Sequence, residues 1–220
     1  MIQQPTFDFL KDLRHNNNRE WFTANKDRYE AARANVVDFA AGIIKGMSEV
    51  DPAITVDMDP KKCVMRIYRD IRFSLDKTPY KSNFGVGRLS SGKTTEGIGY
   101  YVHIEPGASF AGGGYWQPQP EHIRAIRQEI DYNAAELKAV VDAPGFRKLF
   151  GEFRNQESLK TVPRDYSADH EEIALLKLKN FVAMHSFTDA ELGKPNAIKN
   201  VVGVLSEIYP LNVFLNNAIA

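Results

Sequence analysis

The chain has almost no cysteine: one residue, Cys63, in 220. That excludes an intrachain disulfide and a cysteine-built zinc site, and it fits a reducing compartment. Net charge is missing too, with 28 basic side chains balancing 28 acidic ones, which counts against the broad basic face that long nucleic acid requires. No window approaches the roughly 18 uncharged apolar residues of a membrane span. The opening MIQQPTFDFLKDL places acids inside its apolar pattern and lacks the basic flank of a secretory signal. A soluble cytoplasmic protein with no membrane partner is expected. Low-complexity runs, Pro/Gly/Ser-rich spacers and internal repeats are absent as well. Residues 1–220, 43% hydrophobic, are therefore read as one domain with enough apolar surface for a full core. The five histidines (15, 103, 122, 170 and 185) show no H-x-H or H-E-x-x-H spacing, so neither a metal nor a cofactor is expected.

What is present is a strong local bias. Across residues 60–93, nine Lys/Arg stand against two acids, Asp70 and Asp76, leaving 19 of the 28 basic and 26 of the 28 acidic residues elsewhere. The protein reads as one basic segment set into an acidic body.

The periodicities around that segment are helical at both ends and strand-like in the middle. Thr6 is placed to cap a helix to about Arg14. Asn18 is placed to cap a long one whose Phe22, Tyr29, Val36, Ala40, Ile43 and Met47 face a core, with Trp21 locking its first turn and Asp51-Pro52 ending it. Strands are expected at 54–58, 63–73 and 83–89, then at 100–105 and 109–116 as a hairpin turning at Pro106-Gly107. Helices follow at 120–130, 134–142, 144–153 and 170–178, with a strand at 181–187 and a last helix at 196–209 that Pro210 kinks or ends before a final apolar stretch at 211–219. The fold class is α+β, a mostly antiparallel sheet from the central segment packed by N- and C-terminal helices.

Within the basic segment, strict alternation over 63–73 puts Arg69 on one face with Met65, Ile67 and Ile71. It is expected to be buried and paired with a carboxylate remote in sequence, because a lone buried guanidinium is untenable. The opposite face carries Arg66, Tyr68, Asp70 and Arg72, with Asp70 kept ionised between two arginines. The following loop adds Lys77, Tyr80 and Lys81. Convergence of Arg66, Arg72, Lys77 and Lys81 would hold a phosphate or carboxylate. Asp70, Tyr80 and His103 are candidate proton-transfer groups, and Tyr101, which shares a strand face with His103 and Glu105, is a candidate ligand contact. Gly112, Gly113 and Gly114 lie inside a strand, where glycine signals close approach, either of an aromatic such as Trp116 or Trp21 or of a ligand. Residues 87–94 satisfy the phosphate-loop expression G-x-x-x-x-G-K-[ST] through Lys93. The two glycines among Gly97-Ile98-Gly99 argue against the helix that such a loop needs, so the match is read as accidental.

The run R-x-Y-R-D-x-R-F-S-x-D-K-x-P-Y-K at 66–81, with Asn18-Arg19-Glu20-Trp21-Phe22 before it and Tyr100-Tyr101-Val102-His103-Ile104-Glu105-Pro106-Gly107 and Gly112-Gly113-Gly114 after it, resembles the bacterial family called domain of unknown function 2461. The likeness extends to Tyr209-Pro210-Leu211. It implies a soluble single-domain protein and a variable loop at 90–96, and it brings no activity, substrate or cofactor with it. Three function classes follow. The first is a small-molecule site, catalytic or not, for an anionic ligand. The others are a nucleic-acid module using the same cations with Tyr80 and Tyr101, and a noncatalytic interaction domain.

Overall fold

A computed structural model describes residues 1–90, 97–153 and 156–220. Helix α1 (Gln4–His15) starts before the expected cap, with Gln3 at the N-cap and a proline in the first turn. Thr6 is instead buried, its hydroxyl donating to Asn35 Oδ1 at 2.9 Å. Asn18 caps as expected, its side-chain oxygen accepting from the Trp21 amide at 2.9 Å. The helix it opens is α2 (Arg19–Ala24), which stops at Asn25, and α3 (Lys26–Met47) begins there. One long helix was expected from its stripe, yet Asn25 sits at φ −112°, ψ 23° and turns its amide back onto the Trp21 carbonyl. Such a local side-chain bond competes with helix propagation. The stripe itself is buried as read: Tyr29, Val36, Ala40, Ile43 and Met47.

The next stretch departs most from the sequence reading. Residues 54–58 form turns rather than a strand. Then comes α4 (Pro60–Cys63), a single turn capped by Asp59. Residues 63–73 are not a sheet strand either; Val64 and Tyr68 make isolated antiparallel bridges to Val86 and Tyr80. The Met65 amide donates to the Gly85 carbonyl, while the Ile67 carbonyl accepts from the Lys81 amide. The register shifts by two residues between these rungs, which interrupts the ladder without exchanging the faces: Ile67, Arg69 and Ile71 remain on the less exposed side, with Tyr68, Asp70 and Arg72 on the exposed one.

The sheet proper is β1 (Phe84–Ser90), β2 (Ile98–Ile104), β3 (Ser109–Tyr115) and, after α5 (Pro120–Val141), α6 (Pro144–Phe150) and α7 (Ile173–Leu176), β4 (Phe181–Phe187), in the order β1-β2-β3-β4. The chain ends through α8 (Asp189–Leu192) and α9 (Ala197–Ala218). The fold is α+β, an antiparallel four-stranded sheet flanked by helices from both termini. The two helices expected at 120–142 merge into α5 across a kink at Asn133, and the helix expected at 170–178 shrinks to one turn. Pro210 lies inside α9, which continues to Ala218.

The chain divides into two compact units. The first comprises Met1–Leu89, Tyr101–Ala111 and Ser186–Gly203. Its buried side chains include Phe7, Phe9, Leu10, Phe22, Phe39, Ile43 and Val102. The second comprises Ser90–Tyr100, Gly112–His185 and Val204–Ala220, with Ile126, Ile130, Leu137, Phe146, Leu175, Phe181 and Leu215 in its interior. No described helix is long and apolar enough to cross a membrane.

Candidate proton-transfer site and basic hairpin

The basic hairpin is organised by its own loop. Below the Tyr68–Tyr80 bridge the Arg69 amide donates to the Pro79 carbonyl at 2.9 Å, closing the nine residues 70–78 into a tip. Arg69 is neither deep in the core nor paired with a remote carboxylate. Its side chain keeps 25% of its exposure, and its guanidinium bonds Asp76, the Thr78 hydroxyl and the Thr78 carbonyl, with Ser74 Oγ at 3.5 Å. Asp76 completes the clasp by accepting from the Thr78 amide at 2.9 Å and the Thr78 hydroxyl at 3.0 Å. The Thr78 amide, the Thr78 hydroxyl and the Arg69 guanidinium, in that order, hold the Asp76 carboxyl down at about 2, against an ordinary value of 3.8. A folded-state value below the ordinary one means that the clasp is fully formed above pH 3.8 and is lost as pH falls through about 2. A carbon-detected NMR titration is expected to show the Asp76 carboxyl turning over near 2 with the Thr78 amide shifting in step; a midpoint at the ordinary value would mean that the clasp does not form.

The other predicted residues of this segment fall into separate roles. Arg72 grips Asp70 with Nε and Nη2 at 3.0 and 2.7 Å, and both are exposed. The Arg72 side chain, its amide and, by a smaller amount, the charge of Arg66 hold the Asp70 carboxyl below the usual carboxylate range. Lys77 donates to the Ile71 carbonyl at 3.0 Å. Among the described residues, Arg66 and Lys81 have no carboxylate partner. Tyr80 is 5% exposed and stacks on Phe22 at 4.0 Å between ring centroids, while Asn17 holds its backbone on both sides, accepting from its N–H and donating to its carbonyl. Burial pushes the Tyr80 phenol upward. Tyr80 is therefore a packing residue, and the solvent-facing aromatics of the hairpin are Tyr68 and Phe73.

The clearer chemical arrangement is on β2. The strand alternates, with Tyr100, Val102 and Ile104 buried and Tyr101 and His103 half-buried on the other face, followed by Glu105 just past the strand end. That face carries a line of hydrogen bonds. Tyr101 Oη lies 3.2 Å from His103 Nδ1, and His103 Nε2 lies 2.8 Å from Glu105 Oε2. Glu105 Oε1 accepts from Arg14 Nη2 at 2.8 Å and from Ser82 Oγ at 3.3 Å. The His103 ring is stacked on Phe110 of β3, 4.9 Å between centroids and 11° between planes. Because a carboxylate only accepts, we assign the proton to His103 Nε2, which leaves Nδ1 to accept the Tyr101 hydroxyl. Hydroxyl, imidazole and carboxylate then follow one another as in the serine hydrolases, with tyrosine in the first place.

Tyr101 owes its position to missing side chains on β1. A Cβ on Gly85 would lie 2.6 Å from Tyr101 Oη and 3.1 Å from Met65 Sδ, so the phenol lies across bare backbone. Burial first, and the Glu105 charge second, push the Tyr101 phenol upward. It stays protonated at neutral pH and acts as a donor rather than as a phenolate. Arg14 and Ser82 were missed by sequence reasoning, since they lie 91 and 23 residues from Glu105 and carry no local signal. Glu105 was visible on the shared face through alternation alone.

Gly112, Gly113 and Gly114 are filled by the protein itself. Cβ atoms there would meet the Ala183 carbonyl oxygen at 2.7 Å, the Gly99 carbonyl oxygen at 2.6 Å and the Phe181 carbonyl oxygen at 2.0 Å. The close neighbours are adjacent strands and the side chains of Met184, Tyr100 and Ile208, with neither tryptophan among the nearest atoms. Trp21 is half-buried on Phe9, with the Arg28 guanidinium 5.9 Å from its ring centroid. Of the phosphate-loop match, Gly87 to Ser90 belong to β1, and the part through Lys93 and Thr94 lies outside the described residues; the next described element is the strand β2.

An α+β protein with a carboxylate–histidine–tyrosine line on a half-buried face of a small antiparallel sheet is the class these observations define. A family model described as conserved hypothetical protein (DUF2461) matches residues 5–214, and the chain belongs to that family. No curated protein and no solved structure matches it.

Proposed function

We propose that the protein binds a small phosphate- or carboxylate-bearing ligand beside the Tyr101–His103–Glu105 line and that this line exchanges a proton with it. The carrying observation is the unbroken hydrogen-bonded path from Tyr101 Oη through His103 to Glu105, anchored by Arg14 and lying on a half-buried strand face. A proton from the ligand moves to the Tyr101 oxygen as the phenol passes its own to His103 Nδ1, with Glu105 holding the imidazolium that forms, and the reverse transfer returns it. The charge for the ligand is assigned to Lys81 and Arg66, the hairpin cations for which no carboxylate partner is found among the described residues. Arg72 and Lys77 contribute less, because Asp70 and a backbone carbonyl already engage them. The single cysteine, Cys63, is buried and free, which supports a cytoplasmic setting for a bacterial protein of this kind.

Titration calorimetry with inorganic phosphate and a panel of small phosphate esters and carboxylates tests the binding half. Lys81→Ala and Arg66→Ala are expected to weaken a bound anion at least about tenfold. In the same panel, Tyr101→Phe is expected to preserve binding and remove any turnover. No binding across the panel, or affinities that ignore both cation variants, would overturn the reading. A nucleic-acid role gains nothing from this geometry, since Tyr80 is buried and Tyr101 is engaged by His103.

A further inference from the structure

The loop at 70–78 has a feature that the proton-transfer reading leaves unused. Its polar side chains turn inward on the loop itself: Asp76 and Thr78 on Arg69, Asp70 on Arg72, and Lys77 on the Ile71 carbonyl. What the clasp displays is apolar. Phe73 is 96% and Leu75 102% exposed, the two most exposed large hydrophobic side chains among the described residues. They stand in the middle of the tip, between Arg72, whose guanidinium is 5.9 Å from the Phe73 ring centroid, and Lys77. Across 66–81 Arg66, Arg69, Arg72, Lys77 and Lys81 stand against Asp70 and Asp76, so the hairpin that carries the two apolar groups has a net positive charge.

A surface that matches this tip must be apolar within and anionic at its boundary. Single-stranded nucleic acid meets the charge and could stack on Phe73, but it has no use for an equally exposed leucine. We propose that the loop tip docks on an anionic lipid surface, with Phe73 and Leu75 entering the boundary between headgroups and acyl chains and the exposed Arg72 and Lys77 exchanging Asp70 and the Ile71 carbonyl for lipid phosphates and carboxylates. Interfacial insertion of this kind needs no spanning helix, so the expectation of no membrane partner, which rested on the lack of a span, does not bear on it. For a cytoplasmic protein the matching surface is the inner leaflet, where anionic lipids concentrate. The clasp holds the tip in its displayed shape before contact, which limits the ordering that binding would otherwise require.

Vesicle flotation at low salt, with phosphatidylcholine alone and with added phosphatidylserine, tests the proposal on the full chain. The wild-type protein is expected to float with the phosphatidylserine vesicles. The double variant Phe73→Ser/Leu75→Ser is expected to partition at least about tenfold less, and Arg72→Gln/Lys77→Gln to lose the preference for phosphatidylserine. Thermal melting of the serine variant should match wild type, since neither side chain is buried, which separates lost docking from lost folding. Absence of wild-type flotation would overturn the proposal, as would flotation unchanged by the serine pair. So would a single-stranded oligonucleotide retained by wild type and released by Phe73→Ser but not Leu75→Ser, or a self-association in gel filtration that the serine pair abolishes. Phosphate affinity measured through Lys81→Ala is independent of all these results, so the two readings stand or fall separately.

Discussion

Gly114→Ala is expected to lower the unfolding free energy by about 4 kcal/mol or more, the range reserved for substitutions that force backbone apart. Gly114 has φ +110°, a conformation side chains rarely adopt, and a Cβ would stand 2.0 Å from the Phe181 carbonyl oxygen and 2.9 Å from Val182 Cα. Both obstacles are backbone of the neighbouring strand, so no rotamer change relieves them. Urea denaturation reads the effect directly, and for a chain of this size the melting temperature should fall by about 10 °C or more. Two controls separate strain from collision. Gly107→Ala keeps a positive φ of 75° with nothing within 4 Å, and should lose only about 1 kcal/mol. Gly203→Ala, on an open face of α9, should gain up to about 1 kcal/mol from helix propensity. A Gly114→Ala midpoint equal to wild type would mean that β3 and β4 do not approach as described.

The second large effect is at Phe22, 4% exposed and the hub of the aromatic cluster under the hairpin. Its ring stacks on Tyr80 at 4.0 Å and lies 5.1 Å from Tyr29, 6.1 Å from Tyr68 and 6.4 Å from Phe9. Truncation to alanine removes the transfer free energy of a buried phenyl ring and leaves a cavity lined by stiff rings that cannot collapse into it, so a loss of about 3 to 5 kcal/mol is expected. Trp21→Ala, at a half-buried ring, should lose roughly half as much. The prediction reaches function as well. Phe22 supports the Tyr68–Tyr80 bridge from which the clasped loop extends, so any docking by Phe73 and Leu75 should weaken in Phe22→Ala even where the protein remains folded. Equal destabilisation by both substitutions would instead make Trp21 the anchor of the α2 helix.

Legibility differed sharply along the chain. The strand at 181–187 is found at the residues expected, and the hairpin through Pro106-Gly107 within two residues, because each has a short apolar pattern bounded by strong turn or cap signals. The segment at 63–73 misled over pairing rather than over faces, since alternation says nothing of how long a ladder a neighbour can sustain. A two-residue shift in pairing between the Met65 and Ile67 rungs breaks the ladder into isolated bridges, and no local propensity announces a shift that the partner segment imposes. Arg69 therefore closes a local clasp, and Met65 and Phe73 are exposed.

Alternation along 101–105 placed Tyr101, His103 and Glu105 on one face, and that much is a property of any strand, whatever packs around it. The sequence by itself also determined the α+β class, the Asn18 cap and the concentration of cations at 60–93, since periodicity, capping chemistry and charge are local. Tertiary structure alone decided that Arg14 and Ser82 meet Glu105, that bare Gly85 lets Tyr101 lie across β1, and that Tyr80 stacks on Phe22 while Phe73 and Leu75 face solvent. Each of these depends on contacts between residues far apart in the chain or on the register of one segment against another, and neither is encoded in the neighbours of any single residue.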